Sequence, residues 1–319
     1  MTCQRHFAVS AAASAGAALC SLLLFSATPA AAQVIVASPL FGTDIREYAF
    51  DGTFVRTLVT AGSGGLNNPI NLRFGPDGNL YVTSDVGTGT PGLGAIKKYD
   101  GMTGAFLGDA VTGLTQPRDV IFGSDGSMYV SEGDANAVYK INPATGAIVK
   151  TYSGFNSPEG LALRPNGNLL VGPSSNIVEI NTVSGAATTF ATGTSGIYGL
   201  VAGPDGRFYS TSFNDKFISV VPATGGSTVP FSTGGSLSAA MYMAFGNGSF
   251  YVASRGNSTV QYFNATTGVF QGSFASPGAG GIAIRGVGGA ASAPEPSSLA
   301  LLVLPVLSVL VARRRTFTA

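Results

Sequence analysis

The chain has 319 residues, 45 of them glycine, and only 10% are charged. Lys+Arg of 17 against Asp+Glu of 16 gives a net charge of +1, without the clustered positive charge through the body of the chain that nucleic-acid binding needs. An apolar content of 45% is ample for a core and excludes a disordered chain.

Residues 1–32 read as a secretory signal peptide. Arg5 supplies a positive start, Phe7 to Phe25 is an Ala/Leu-rich apolar run, and Ala30-Ala31-Ala32 is a small-residue cleavage site before Gln33. Ser10, Ser14 and Ser21 interrupt the run, which argues against a permanent anchor. Leu19 before Cys20 argues against lipidation, where a small residue is required. Cleavage removes Cys3, Cys20 and His6, leaving a mature chain with no Cys, His or Trp. That excludes disulfides, Cys-His or Ser-His-Asp catalysis and zinc sites of the usual His/Cys kind.

From Gln33 the chain is built of short β-prone runs. QVIVAS at 33, DIREYAF at 44 and TFVRTLV at 53 come first. Next comes a unit of four runs: PINLRF at 69, NLYVTS at 79, AIKKYD at 95 and AFLGDAV at 105. This unit recurs four more times. Its second run follows a Gly/Pro/Asp-rich turn: FGPDGNLYVTS at 74, FGSDGSMYVSE at 122, LRPNGNLLVGP at 163, AGPDGRFYSTS at 202 and FGNGSFYVAS at 245. The turn glycines Gly78, Gly126, Gly167, Gly206 and Gly248 are 48, 41, 39 and 42 residues apart, the range of propeller blades. A second series (Gly52, Gly104, Gly146, Gly185, Gly225, Gly268) marks hairpins between third and fourth runs. No stretch has a 3.6-residue period, which excludes a helical array. A lone first run, Gly280 to Ile284, closes the series and supplies what the N-terminal fragment lacks. The expected fold is all-β: a six-bladed β-propeller of four-stranded blades over residues 33–290, closed between N- and C-terminal strands.

Asp77, Asp125, Asn166 and Asp205 read as turn formers, as do Asn136, Asn176, Asn214 and Asn257 between second and third runs. Ser84 to Ala95 is the longest insertion, either a tip or part of a binding face; it lacks the Lys-Ser/Thr pair of a phosphate loop. YVSEGDANAVYKIN and YVASRGNSTVQYFN resemble the strand–Asn-loop–strand core of NHL-type and YVTN-like six-bladed propellers over nearly the whole domain. In that family the first strands line a central channel, so the polar residues to weigh are Asn71, Arg118, Asp119, Glu159, Tyr198 and Tyr242. Asp119, Glu159 and Asn71 offer a Ca²⁺-type oxygen site or an acid/base pair, as in gluconolactonase-like relatives; the competing reading pairs Arg118 with Glu159 or Asp119 as satisfied polar groups.

The C-terminal segment, residues 291–319, carries Pro294-Glu295-Pro296, an apolar run from Leu299 to Ala312, and Arg313-Arg314-Arg315. The run has 14 residues, short for a membrane span of about 20, though arginines that snorkel help; it is expected as a short transmembrane helix. This order resembles the PEP-CTERM sorting signal of Gram-negative bacteria. The resemblance implies an exosortase-like processing enzyme, an intermediate tethered at the inner membrane, and delivery to the cell surface or extracellular matrix. Two functions follow. One is a non-enzymatic module that binds an exopolysaccharide or a surface protein, without a cofactor. The alternative is a metal-dependent lactonase using Ca²⁺ or another divalent ion in the channel.

Overall fold

The computed structural model describes residues 34–39, 42–85 and 91–285. The signal segment, the middle of the insertion after Ser84, and the tail with Pro294, Glu295, Pro296 and Arg313 to Arg315 lie outside the described residues.

The described chain opens with β1 (Val34–Pro39), β2 (Ile45–Ala49) and β3 (Phe54–Val59). One sheet follows as β4 (Pro69–Phe74), β5 (Leu80–Ser84), β6 (Gly94–Tyr99) and β7 (Phe106–Leu114). The next comprises β8 (Pro117–Phe122), β9 (Met128–Glu132), β10 (Ala137–Ile141) and β11 (Ile148–Ser153). Then come β12 (Leu161–Leu163), β13 (Leu169–Val171), β14 (Ser175–Ile180) and β15 (Ala187–Ser195). After these run β16 (Ile197–Ala202), β17 (Phe208–Ser212), β18 (Ser219–Val221), β19 (Gly226–Ser227) and β20 (Val229–Pro230). The last strands are β21 (Ala240–Gly246), β22 (Ser249–Ser254), β23 (Thr259–Asn264), β24 (Phe270–Ala275) and β25 (Ala279–Ile284). β25 joins the N-terminal strands in the order β25-β1-β2-β3, with Ile35 opposite Ile284 and Ala37 opposite Ile282.

The first strands of successive sheets neighbour one another in the cyclic order β4, β8, β12, β16, β21, β25 and back to β4. That is the innermost ring of a propeller. Between each pair of sheets lies one apolar cluster. Leu58 and Val59 meet Leu72, Leu80 and Tyr99, and at the next interface Tyr81, Ile96 and Val111 meet Val120, Met128 and Val130. The second strands are sandwiched on both faces, and β5, β9, β17 and β22 are buried along their whole length. Each such Leu or Val contributes about 1.5–3 kcal/mol relative to an exposed side chain.

The structure corrects the expected fold in two respects. Five sheets have four strands and one has five: β12-β13-β14-β15-β19. The nine-residue β15 outruns its partner β14, and its outer edge takes Gly226–Ser227, from the chain between β18 and β20, in parallel at Ala191 and Thr192. β19 has no apolar alternation to announce it. The transmembrane helix is not found either: among the described residues the helices are two three-residue 3-10 turns, Ser63–Gly65 and Arg255–Asn257, and no helix is long and apolar enough to cross a membrane. The segment assigned to it, 299–312, lies outside the described residues.

The turn aspartates do more than shape turns. Asp77 accepts the Asn79 N–H at 3.1 Å through one carboxylate oxygen, and through the other the Tyr81 hydroxyl at 3.0 Å and the Lys98 ammonium at 2.8 Å. Burial acts against the ionised form, but Lys98, Asn79 and Tyr81 together hold this carboxyl down at about 2. Asp205 repeats the arrangement with Arg207 and Tyr209, and Asp125 with Ser127 and Lys140. The hairpin glycines also act twice: Gly104 and Gly268 have positive φ, and each sits against a carbonyl of the preceding sheet's outer region (Leu58, Phe231) with no room for a Cβ.

Candidate functional site

Period-2 geometry decides what meets at the axis. The third residue of each innermost run is Asn71, Asp119, Gly160, Gly199, Tyr242 or Gly281. Three are glycines because adjacent inner backbones nearly touch. A Cβ on Gly160 would lie 2.5 Å from the Tyr198 carbonyl oxygen, and one on Gly281 would lie 2.6 Å from the Asn71 Cα. The other three, Asn71, Asp119 and Tyr242, are fully buried. At this level the expected channel is packed with side chains.

A hydroxyl on the second strand ties each of several blades to the next. Thr83 Oγ1 accepts the Asn71 N–H at 2.8 Å and shares its proton between the Asn71 carbonyl at 3.2 Å and the Arg118 carbonyl of the next blade at 3.3 Å. Ser131 Oγ accepts the Asp119 N–H at 2.9 Å and donates to the Glu159 carbonyl at 2.5 Å. Thr211 links Gly199 to the Met241 carbonyl in the same way, and Ser38 accepts the Gly281 N–H at 3.1 Å.

The Asp119 carboxylate is enclosed by donors. Oδ1 accepts Asn71 Nδ2 at 2.7 Å and the Val120 N–H at 2.8 Å; Oδ2 accepts the Leu161 N–H at 3.0 Å and Arg73 at 3.3 Å. Arg73 was missed in the sequence. It stands two residues after Asn71, so it shares that strand face and meets the same carboxylate.

Glu159 precedes β12 and is reached from two sides. Tyr242 donates its hydroxyl to Oε2 at 3.0 Å, and Arg118 Nε lies 3.3 Å from Oε1. Burial pushes the Glu159 carboxyl up to about 7, with Arg118 and Tyr242 pulling the other way. Burial and the nearby Glu159 charge push the Tyr242 phenol well above its ordinary value, so it stays a donor. Tyr198 packs on Tyr242 with ring centroids 6.3 Å apart, and on Phe213 at 5.9 Å. All six candidates therefore fall in one neighbourhood: Asn71 with Asp119, Arg118 with Glu159, and Tyr242 with both Glu159 and Tyr198.

Among the described residues, no group of three or more His, Cys, Asp or Glu is placed to hold a metal ion. The Asp119 oxygens are already shared among protein donors, and Asn71 turns its amide N–H₂ toward them. The donor set therefore does not fit the oxygen cage of a Ca²⁺ site. Two shallow depressions of about 230 and 300 Å³ lie out at the hairpins, beside Lys98 and Thr145 and beside Asp125 and Asn142, and include none of the axial residues.

No family model and no curated protein matches this chain. Among solved structures, a chain of the nidogen/laminin complex aligns with a TM-score of 0.67 at 12% identity, covering 79% of this chain and 98% of that one. Virginiamycin B lyase from Staphylococcus aureus aligns at 0.52 with 17% identity, covering 73% and 77% of the two chains. Its catalytically inactive histidine-to-alanine variant with quinupristin aligns at 0.53 with 18% identity, covering 74% and 78%. At such identities the likeness carries the architecture alone: the chain folds as a β-propeller.

Proposed function

We propose that this protein is a non-enzymatic binding module, exported from the cytoplasm and working at the cell surface or in the surrounding matrix. The observation that carries the reading is the enclosure of Asp119. With Asn71, Arg73, Val120 and Leu161 donating to it, the carboxylate serves the ring and has no lone pair to spare for a cation or a substrate proton. The lyase neighbour is inactivated by loss of one histidine. Here the single histidine is His6, at the extreme N-terminus, so that chemistry has no counterpart in the propeller.

One observation favours the lactonase alternative: a buried carboxyl at about 7, Glu159, could exchange a proton near neutral pH. Against it, both Glu159 oxygens face fixed partners, Arg118 and Tyr242. The deciding assay is hydrolysis of lactones and aryl esters, with and without added divalent ions. The expected result is no turnover above background. Divalent-dependent turnover that disappears in the double variant Asp119→Ala/Glu159→Ala would overturn the binding reading.

The address rests on the sequence at both ends. Export is read from residues 1–32, and the Pro294-Glu295-Pro296 motif suits an exosortase-like processing enzyme. Either a surface polysaccharide or a surface protein is the partner. Mass spectrometry of the surface fraction should recover the propeller without the peptide from Leu299 onward. An intact Arg-Thr-Phe-Thr-Ala terminus there would refute processing, and recovery from the cytosol alone would refute export.

A further inference from the structure

The innermost strands begin, and the loops between second and third strands lie, at the same end of the ring. Four blades bring side chains to that end: Arg118, Glu159, Tyr198 with Phe213, and Tyr242. They form one continuous group. The Arg118–Glu159 pair touches Tyr242, Tyr242 meets Tyr198 edge-on, and Tyr198 leans on Phe213. The lower members are closed to water and the upper ones are not: Phe213 is 40% exposed and the Arg118 side chain 18%. A large aromatic ring left in water beside a second, half-buried one is a platform. The guanidinium next to it is fixed from below, and its buried Nε has no hydrogen-bond acceptor in good geometry.

Charge decides between ligand classes. Arg118 stands in the field of Glu159 and Asp85, and Tyr198 in the field of Glu159, Arg118 and Arg255. Asp85 and the partly ionised Glu159 offset most of the charge of the two cations, so little net positive charge is left to hold an anion. A neutral ring with hydroxyls fits. Its apolar face stacks on Phe213 and Tyr198, and its hydroxyls accept from Arg118 and from the Tyr198 phenol.

Resting on the binding-module reading, we infer that this end of the propeller is a glycan site, with Phe213 and Tyr198 stacking one neutral hexopyranose unit and Arg118 holding its hydroxyls. Calorimetric titration of the full-length chain with neutral gluco- and manno-oligosaccharides, and separately with an oligogalacturonate, tests it. A neutral oligomer binds, and Phe213→Ala and Tyr198→Ala each weaken it by about tenfold, the loss of one aromatic contact. Val183→Ser, on an outer hairpin where Val183 is highly exposed, leaves affinity unchanged. The site is refuted if no neutral oligomer of the panel binds, if Phe213→Ala binds as tightly as the parent, or if the oligogalacturonate binds more tightly than every neutral oligomer. Failure of the parent reading looks different: catalytic turnover that Glu159→Gln abolishes, whatever Phe213→Ala does to affinity.

Discussion

Replacing Asp119 with alanine separates a structural carboxylate from a chemical one. The truncation strands four donors at the axis: Asn71 Nδ2, the Val120 and Leu161 N–H groups, and Arg73. Removing one partner of a buried ion pair costs about 3–5 kcal/mol. Arg73 keeps 14% of its side chain in solvent, which favours the low end. Each buried backbone donor left unsatisfied adds about 1–3 kcal/mol, less whatever water entering the vacated space restores. The expected loss is about 4–6 kcal/mol, which for a domain of this size lowers the melting temperature by about 10–20 °C. Asp119→Asn keeps the volume and one acceptor oxygen and should lose about half as much. Circular dichroism melts of parent and both variants provide the measurement. A melting temperature for Asp119→Ala within about 3 °C of the parent would refute the reasoning, because a carboxylate removable without cost would be free for ligand chemistry.

Glu159 makes stability depend on pH in a direction opposite to the turn aspartates. Its folded-state value of about 7 exceeds the unfolded one, so the folded state holds the proton more tightly and stability falls as pH rises between about 4.5 and 7. The loss is about 3 kcal/mol, and Glu159→Gln should remove that slope in a series of urea melts; equal slopes in the two proteins would count against it. Asp77 works in the other window. Its depressed carboxyl stabilises above the unfolded carboxylate value, and this is lost as pH falls toward about 2. Deleting Gly280 to Ile284 removes the inner partner of β1 and the chain before Arg285, which pairs with the buried Glu47 of β2. The whole ring should melt earlier, and an unchanged melting temperature would speak against closure at this seam. Thr83→Val, which deletes one inter-blade hydroxyl at nearly constant volume, should cost about 1–3 kcal/mol; a shift below about 2 °C would deny the link a structural role.

The all-β propeller character was legible because local chemistry repeats. Leu80-Tyr81-Val82 and Met128-Tyr129-Val130 follow the same turn, and strands buried on both faces need this composition wherever they occur. What escaped the sequence depends on partners distant in the chain. Thr83 and Ser131 look like ordinary strand residues until their partners, the Arg118 and Glu159 carbonyls, are seen 35 and 28 residues away. At the seam between the N-terminal strands and β25, a register shift between Ala37 and Pro39 brings Ser38 onto the Gly281 N–H, a detail no sequence pattern announces. The fifth strand of one sheet was invisible because Gly226–Ser227 pairs through backbone alone. The six site candidates were chosen by position on the innermost strands, and they do assemble. Their division into an enclosed Asp119 and a partly open Arg118 could not be read from spacing, because Arg73 and Leu161 settle it from two other blades.

The same features bear on where function can reside. Stability of the ring is distributed between two tiers: hydroxyl links and packed glycines at the axis, and hairpin glycines seated on neighbouring backbones at the periphery. Both tiers are short-range and intolerant of substitution, since a Cβ at Gly160 or Gly281 would meet backbone. Neither depends on the exposed part of the loops between second and third strands. Phe213 sits in such a loop and contributes to the platform through its ring, while only its backbone N–H is tied, to the Gly196 carbonyl at 3.2 Å. What sets Phe213 apart from more exposed apolar residues such as Phe54 and Val183 is its company, the half-buried Tyr198 ring that leads through Tyr242 to the Arg118–Glu159 pair. In a ring whose strength lies elsewhere, a ligand on that platform would engage the ring without loading the fold. Phe213→Ala should therefore leave the melting temperature within about 2 °C of the parent while weakening the neutral-oligosaccharide complex. A variant that instead melts several degrees lower would assign the ring to packing and remove the platform from the site.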